Sequence, residues 1–351
     1  KLKNLLELNK TKELTTRWTE NDINLKLNSI EVNNDKVTEH SELIAYMCQG
    51  AGLKINDKSK ELFSKSYDVW KVIWYSAKET DINKTIKKLF YLVSTGVLCD
   101  SLAEVRMILI EINLNDYYKN LDKKVWDIYL ENTIYLILLV LIRKANGWED
   151  IKFIESILSE FKKDQEQYEE DYLKSINESN RYSCICWLAA LLNILGAIEE
   201  YKKYLLEGKP DDIEKVIIRY CKESYELIDE TNKSEKKFLF ILIEKVLIKM
   251  VTYSVWSSIN GISEKIDNYI KLLTMRDTSK PIFELWPSQQ QAISKNLFDN
   301  TKTSIVVQMP TSAGKTMLAK FYILQTFNLY TKPKVAYIVP TRALVNQIKK
   351  D

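Results

Sequence analysis

Residues Met309–Thr316 read M-P-T-S-A-G-K-T and follow the apolar run Thr303–Gln308 (T-S-I-V-V-Q). A β-branched run of this length predicts a buried strand. Gly314, Lys315 and Thr316 then mark a tight turn into a helix, because residues Thr316–Tyr330 place Leu318, Tyr322, Ile323, Phe327 and Tyr330 at helical spacing. Residues Lys334–Val339 (K-V-A-Y-I-V) predict a second buried strand. Strand, helix and strand in this order pack as a parallel pair with a right-handed crossover. Ligands in such sheets sit at the carboxyl ends of the strands. Met309–Thr316 and Pro340–Arg342 both fall at such ends.

A strand–turn–helix with Gly-Lys-Thr is suited to a nucleoside triphosphate. Successive backbone N–H groups and the positive helix end converge on one phosphate. The lysine adds a point charge at the outer phosphates, and the threonine hydroxyl can ligate magnesium. The usual loop opens with a glycine five positions before the second, where this chain has Met309. Upstream, Phe283–Ile293 reads F-E-L-W-P-S-Q-Q-Q-A-I. Pro287 suits a first helical turn. Gln289 projects from that turn, and its amide offers both a donor and an acceptor, as the Hoogsteen edge of adenine requires.

Three segments together resemble the opening motifs of superfamily 2 helicases. Pro287–Ile293 resembles the Q motif, Pro310–Thr316 motif I, and Pro340–Leu344 (P-T-R-A-L) motif Ia. The wording is similar to the DExH, superkiller-like branch, where the first loop glycine is commonly replaced. The resemblance covers residues 281–351 and implies the following roles. Gln289 reads adenine. Thr311, Ser312, Ala313, Gly314, Lys315 and Thr316 hold ATP, with Lys315 and Thr316 serving catalysis and Thr316 on magnesium. Thr341 and Arg342 touch the backbone of single-stranded or partly duplex nucleic acid. The acidic motif II and the arginines of a second RecA-like domain do not occur before Asp351. The chain therefore reads as a portion of a longer ATP-dependent helicase or translocase, and by itself is expected to be inactive.

Charge distribution agrees with that placement. From 281 to 351 there are nine Lys/Arg and three Asp/Glu, a net of +6 within a chain whose total is +3. The basic excess lies with the helicase-like motifs, as a phosphate-facing surface requires. The first 280 residues carry a net of −3 and offer no bulk electrostatic case for nucleic acid.

Proline use marks a boundary. Pro210 alone precedes residue 280, and the other five prolines follow it. The N-terminal region therefore reads as mostly α, either a helical bundle or an α-solenoid. Residues 1–58 form a more polar, partly helical segment, 59–275 an all-helical domain, 276–280 a linker, and 281–351 the start of a RecA-like α/β domain with a parallel sheet. Predicted helices are Ser59–Ala77 (stripe Leu62, Phe63, Tyr67, Trp70, Trp74), Ser101–Ile112, Tyr117–Lys144, Asp150–Lys174, Asn180–Leu206, Asp212–Ile228, Lys236–Ser258 and Ser263–Met275. Ser101 and Glu104 form a capping-box pattern. No tetratricopeptide or HEAT period is present.

Five cysteines, with only Cys184 and Cys186 close together and His40 distant, fit buried reduced thiols better than a metal site. That usage suits the cytoplasm. Tyr182–Ile198 runs 17 residues without charge, and its amphipathic flanks favour a buried core helix over a membrane span. Most of the 8 Trp and 20 Tyr fall at helical spacing, so core packing accounts for them before base stacking does. A proline-poor helical region ahead of a superkiller-like motor also resembles the helicase subunit of bacterial Hachiman-type anti-phage systems, which implies a nuclease partner. A different class of function remains open, in which the helices form an interaction scaffold and the nucleotide-binding part is a switch or degenerate.

Overall fold

A computed structural model describes residues 38, 41–42, 44–45, 57–76, 80–144, 147–231, 233, 236–259, 261–275, 281–299, 301, 304–309, 314–339, 342 and 345–346. The chain divides into two compact units, 1–252 and 253–351.

Every regular element described in the first unit is a helix. Its elements are α1 (Asp57–Ser76), α2 (Ile82–Leu98), α3 (Leu102–Ile110), α4 (Leu114–Lys119), α5 (Trp126–Arg143), α6 (Trp148–Ser175), α7 (Glu178–Glu207), α8 (Ile213–Asp229) and α9 (Lys237–Tyr253). Helix α5 is the centre. Fourteen of its 18 residues are buried, and α2, α3, α4, α6 and α7 all pack on it. A helix this apolar has to be enclosed, and this one is. The arrangement is that of a bundle around one axial helix. Aromatic side chains fill the layers: Phe90 stacks on Tyr135 at 4.3 Å, Trp126 on Phe161 at 5.3 Å, and Trp187 on Phe240 at 5.5 Å. These pairs carry the aromatic content into the core, as their helical spacing indicated.

Several buried polar groups are paired. The Tyr129 hydroxyl donates to Asp164 at 2.9 Å, and Lys123 meets the same carboxylate at 2.8 Å. Tyr225 donates to Glu244 at 2.7 Å, while Lys245 holds the other oxygen of that buried carboxylate at 3.0 Å. Burial pushes the Cys221 thiol well above its ordinary range, so it stays protonated. Cys99, Cys184, Cys186 and Cys221 are free thiols, and no His/Cys/Asp/Glu group among the described residues has metal-site geometry.

Several local expectations change. Helix α2 was not singled out from the sequence, because Val93-Ser-Thr-Gly96 lowers helix propensity. Tertiary packing overrides it: Leu89 to Leu98 are all buried, and Asp81 caps the start through bonds from Asn83 N (2.9 Å) and Lys84 N (3.3 Å). Ser101 makes no side-chain cap bond; Glu104 instead reaches Lys71 across α1 at 3.1 Å. The single helix expected over 117–144 is broken into α4 and α5 around Leu121–Val125. Helix α7 is the one described helix long and apolar enough to cross a membrane, and half of its apolar window is buried within the protein. It packs lengthwise on α8 and ends at Gly208, whose φ of 72° forms a left-handed cap.

The second unit contains α10 (Val255–Ile259), α11 (Glu264–Thr274), α12 (Pro287–Ser294) and α13 (Lys315–Leu329). The division thus falls at 252/253, so α10 and α11 cluster with the C-terminal motifs and not with the helices before them. Backbone bonds show why. Val255 N donates to Phe283 O, Leu285 N to Tyr253 O, and Ile282 N to Leu273 O, each at 3.0 Å. The segment entering α12 is therefore fastened to the chain 30 residues upstream. The expected linker 276–280 lies outside the described residues.

The expected parallel sheet is not seen. Residues 304–309 and 333–339 take no regular secondary structure, and no strand occurs among the described residues beyond one antiparallel bridge, Ser254–Glu284. A parallel pair is stable only within a sheet covered on both faces. Here Val306 and Ile338 are 90% and 91% exposed. The stripe on α13 is also shifted. Leu318, Phe321 and Gln325 are buried against α11, with Phe321 edge-on to Tyr269 at 5.7 Å, whereas Tyr322, Phe327 and Tyr330 are exposed.

Candidate nucleotide-binding site

Gly314 sets the geometry. It takes φ 78° and ψ 27°, the left-handed region, and α13 begins at the next residue. Side chains other than glycine pay about 1–2 kcal/mol there. The Gly314 carbonyl accepts from Met317 N at 3.1 Å and Leu318 N at 3.5 Å, closing the first helical turn. The amides of Lys315 and Thr316 precede any intrahelical acceptor. No acidic side chain occupies that first turn. The positive helix end is thus free of a neutralising carboxylate, the condition an anion requires.

Lys315 and Thr316 are both exposed at this end. The Lys315 ammonium donates to the Met309 carbonyl at 2.9 Å. The bond sets Met309 and Lys315 within one side-chain length of each other. Thr311, Ser312 and Ala313 lie outside the described residues, as does Thr341. Arg342 is helical and exposed. The structure therefore brings Gly314, Lys315, Thr316 and Gln289 together. Beside them an open cleft of about 280 Å³ runs between Ser288, Gln291 and Lys295 of α12 and residues 305–309.

Gln289 lies in the first turn of α12. Its side chain is buried, at 3% exposure. Its Oε1 accepts from Trp286 N at 2.8 Å, and its Nε2 donates to Gly314 O at 3.1 Å. The amide thereby caps α12 and reaches α13 in one span. Sequence reasoning did not find this link; only the coincidence of a buried glutamine with a glycine 25 residues later carries it. Trp286, beside it, is 60% exposed.

Residues 286–351 match the family described as DEAD/DEAH box helicase. The chain is 28% identical over 161 residues to Hachiman protein HamB of Bacillus cereus, a stretch covering 46% of this chain and 14% of that protein. It is 40% identical over 52 residues to activating signal cointegrator 1 complex subunit 3 of Danio rerio, covering 15% of this chain and 3% of that protein. The chain thus matches only a small part of the length of each relative. Motif order, the left-handed Gly314 and these similarities all point residues 286–351 toward the DEAD/DEAH box helicases, which that stretch resembles.

Proposed function

We propose that this chain forms part of an ATP-dependent DExH helicase or translocase that acts on single-stranded or partly duplex nucleic acid. The observation that carries the proposal is the left-handed Gly314 opening α13, with Lys315 bonded to the Met309 carbonyl and no acidic residue in the first turn. In this reading Thr311, Ser312, Ala313, Gly314 and Lys315 hold the β- and γ-phosphates. Thr316 ligates the magnesium that accompanies ATP. Magnesium neutralises phosphate charge and Lys315 adds to it, which is how phosphoryl transfer is assisted. Thr341 and Arg342 contact the nucleic-acid backbone, and the net +6 of residues 281–351 supports such a face. The adenine-reading role for Gln289 is retained only as what the motif implies.

The similarity to Hachiman protein HamB supports a narrower reading. In it the motor serves cytoplasmic anti-phage defence beside a nuclease partner, and the bundle of α1–α9 is the regulatory or docking part. This chain alone is proposed to bind nucleotide without turning it over.

The test is ATP hydrolysis by the full-length protein with and without single-stranded nucleic acid. Nucleic acid is expected to stimulate hydrolysis, and Lys315→Ala to abolish it. A Lys315→Ala rate equal to the parent rate sinks the assignment.

A further inference from the structure

We propose that the acid-rimmed apolar surface formed by α3, the turn after it and the start of α6 is a docking site for a basic amphipathic helix of a partner protein. The inference gives a surface to the docking role assigned above to the bundle, and it stands without the nucleotide site. Helix α3 is only nine residues long, yet its Met107 and Ile110 are 65% and 58% exposed. Tyr75, near the end of α1, is exposed as well. Burial, then the charges of Glu111 and Glu104, push its hydroxyl above the ordinary range, so its ring stands near the same carboxylates. Glu111 keeps helical backbone angles, so Glu104, Met107 and Glu111 follow at i, i+3 and i+7 and share one face. Ile110 and Glu111 then line an open cleft of about 470 Å³ together with Ile112, Glu149 and Phe153. Tyr118 meets the Phe153 ring edge-on at 6.4 Å and holds it as an apolar wall.

Charge selects the occupant. The cations nearby already have partners: Lys71 meets Glu104 at 3.1 Å, Arg143 the buried Asp150, and Arg106 the Ile142 carbonyl at 2.9 Å. No lysine or arginine among the described residues pairs with Glu111 or Glu149. Within the cleft Arg143 and Asp150 cancel, and Glu111 and Glu149 leave a net of −2. Helix α3 also ends here with no basic residue in its last turn, so its carbonyl end adds negative potential. Such a rim repels the phosphates of nucleic acid and of anionic lipid. A partner helix with apolar side chains at i, i+3 and i+4 covers Met107 and Ile110. A lysine or arginine beside them lays its stem along Ile110 and Phe153 and turns its charged head toward Glu111 and Glu149.

The probe is a fluorescein-labelled amphipathic peptide with leucines on one helical face and lysines on the other, titrated with this chain and read by anisotropy. A second peptide carries glutamate in place of lysine. Two double variants are compared with the parent, Met107→Ser with Ile110→Ser, and Glu111→Gln with Glu149→Gln. All four positions are exposed, so the fold is retained. Each variant is expected to weaken the lysine peptide about tenfold or more. Added salt is expected to weaken it on the parent, and the glutamate peptide is expected not to bind. Hydrogen exchange is expected to slow across 102–112 and 148–153 when the lysine peptide is bound. No saturable binding to the parent, equal affinity in either variant, or protection confined to other residues overturns the proposal. Self-association of the parent that Met107→Ser with Ile110→Ser abolishes overturns it in favour of an interface between copies of this chain. Protection of the same residues by a single-stranded oligonucleotide overturns it in favour of nucleic acid. Each of these failures leaves the ATP assignment standing, because that is read by hydrolysis.

Discussion

Replacing Gly314 with alanine tests the turn on which the site depends. Two costs add. An alanine at φ 78° bears the left-handed penalty of about 1–2 kcal/mol. Its Cβ, 2.1 Å from Nε2 of Gln289, also has to expel that amide, ending its bonds to Gly314 O and Trp286 N. At about 1 kcal/mol per buried bond, the total reaches roughly 3–4 kcal/mol. The assay is native-state hydrogen exchange, read as opening free energy at Met317 and Leu318, whose amides bond to the Gly314 carbonyl. A double-mutant cycle with Gln289→Ala separates the terms. Once the glutamine is gone, Gly314→Ala should cost only the backbone penalty of about 1–2 kcal/mol, so the pair is strongly non-additive. An equal cost in both backgrounds refutes the steric part of the reasoning. A cost under about 0.5 kcal/mol in the parent refutes the left-handed turn itself.

Other perturbations test the helical unit. At Gly96 an added Cβ meets Val105 Cγ2 at 2.3 Å and Tyr67 Cε2 at 2.7 Å, so Gly96→Ala should lower unfolding free energy by about 1–3 kcal/mol in a denaturant titration followed by tryptophan fluorescence. Arg143→Ala removes the guanidinium paired with Asp150, a carboxylate only 2% exposed, and should cost about 3–5 kcal/mol in the same titration. Glu42 has its pKa raised above 4.5, chiefly by burial, against the lowering effects of the Tyr91 hydroxyl bond and nearby lysines. The folded state therefore keeps a proton that the unfolded state releases, and stability falls as pH rises from 4.5 through the folded value. Glu42→Gln should flatten that stretch of the stability–pH curve and gain most at neutral pH; a variant curve parallel to the parent's refutes the assignment.

The helical region was legible because its signals are local. Of the α1 stripe, Phe63, Tyr67 and Trp70 are buried as its spacing indicated while Leu62 and Trp74 are half-buried, and Gly208 stops α7 as expected. Helix α2 was hidden because Ser94, Thr95 and Gly96 argue against helix locally, and only the close approach of Tyr67 and Val105 explains the glycine. In the second unit the turn at Gly314 and the helix after it were readable from three residues. The strands are not seen among the described residues: a strand depends on neighbours for its backbone bonds, and Val306 and Ile338 find no cover there. The bonds of Gln289 were out of reach for a related reason. Its motif gives the residue type, but its bonds run to Trp286 and Gly314, a partnership no spacing rule specifies.

The central claim is that the amides opening α13 receive a triphosphate. Hydrogen exchange of this chain with and without saturating magnesium-ATP tests it most directly. The account predicts slowed exchange concentrated from Gly314 to Leu318 and abolished by Lys315→Ala. Protection that falls elsewhere, or that persists unchanged in Lys315→Ala, contradicts it.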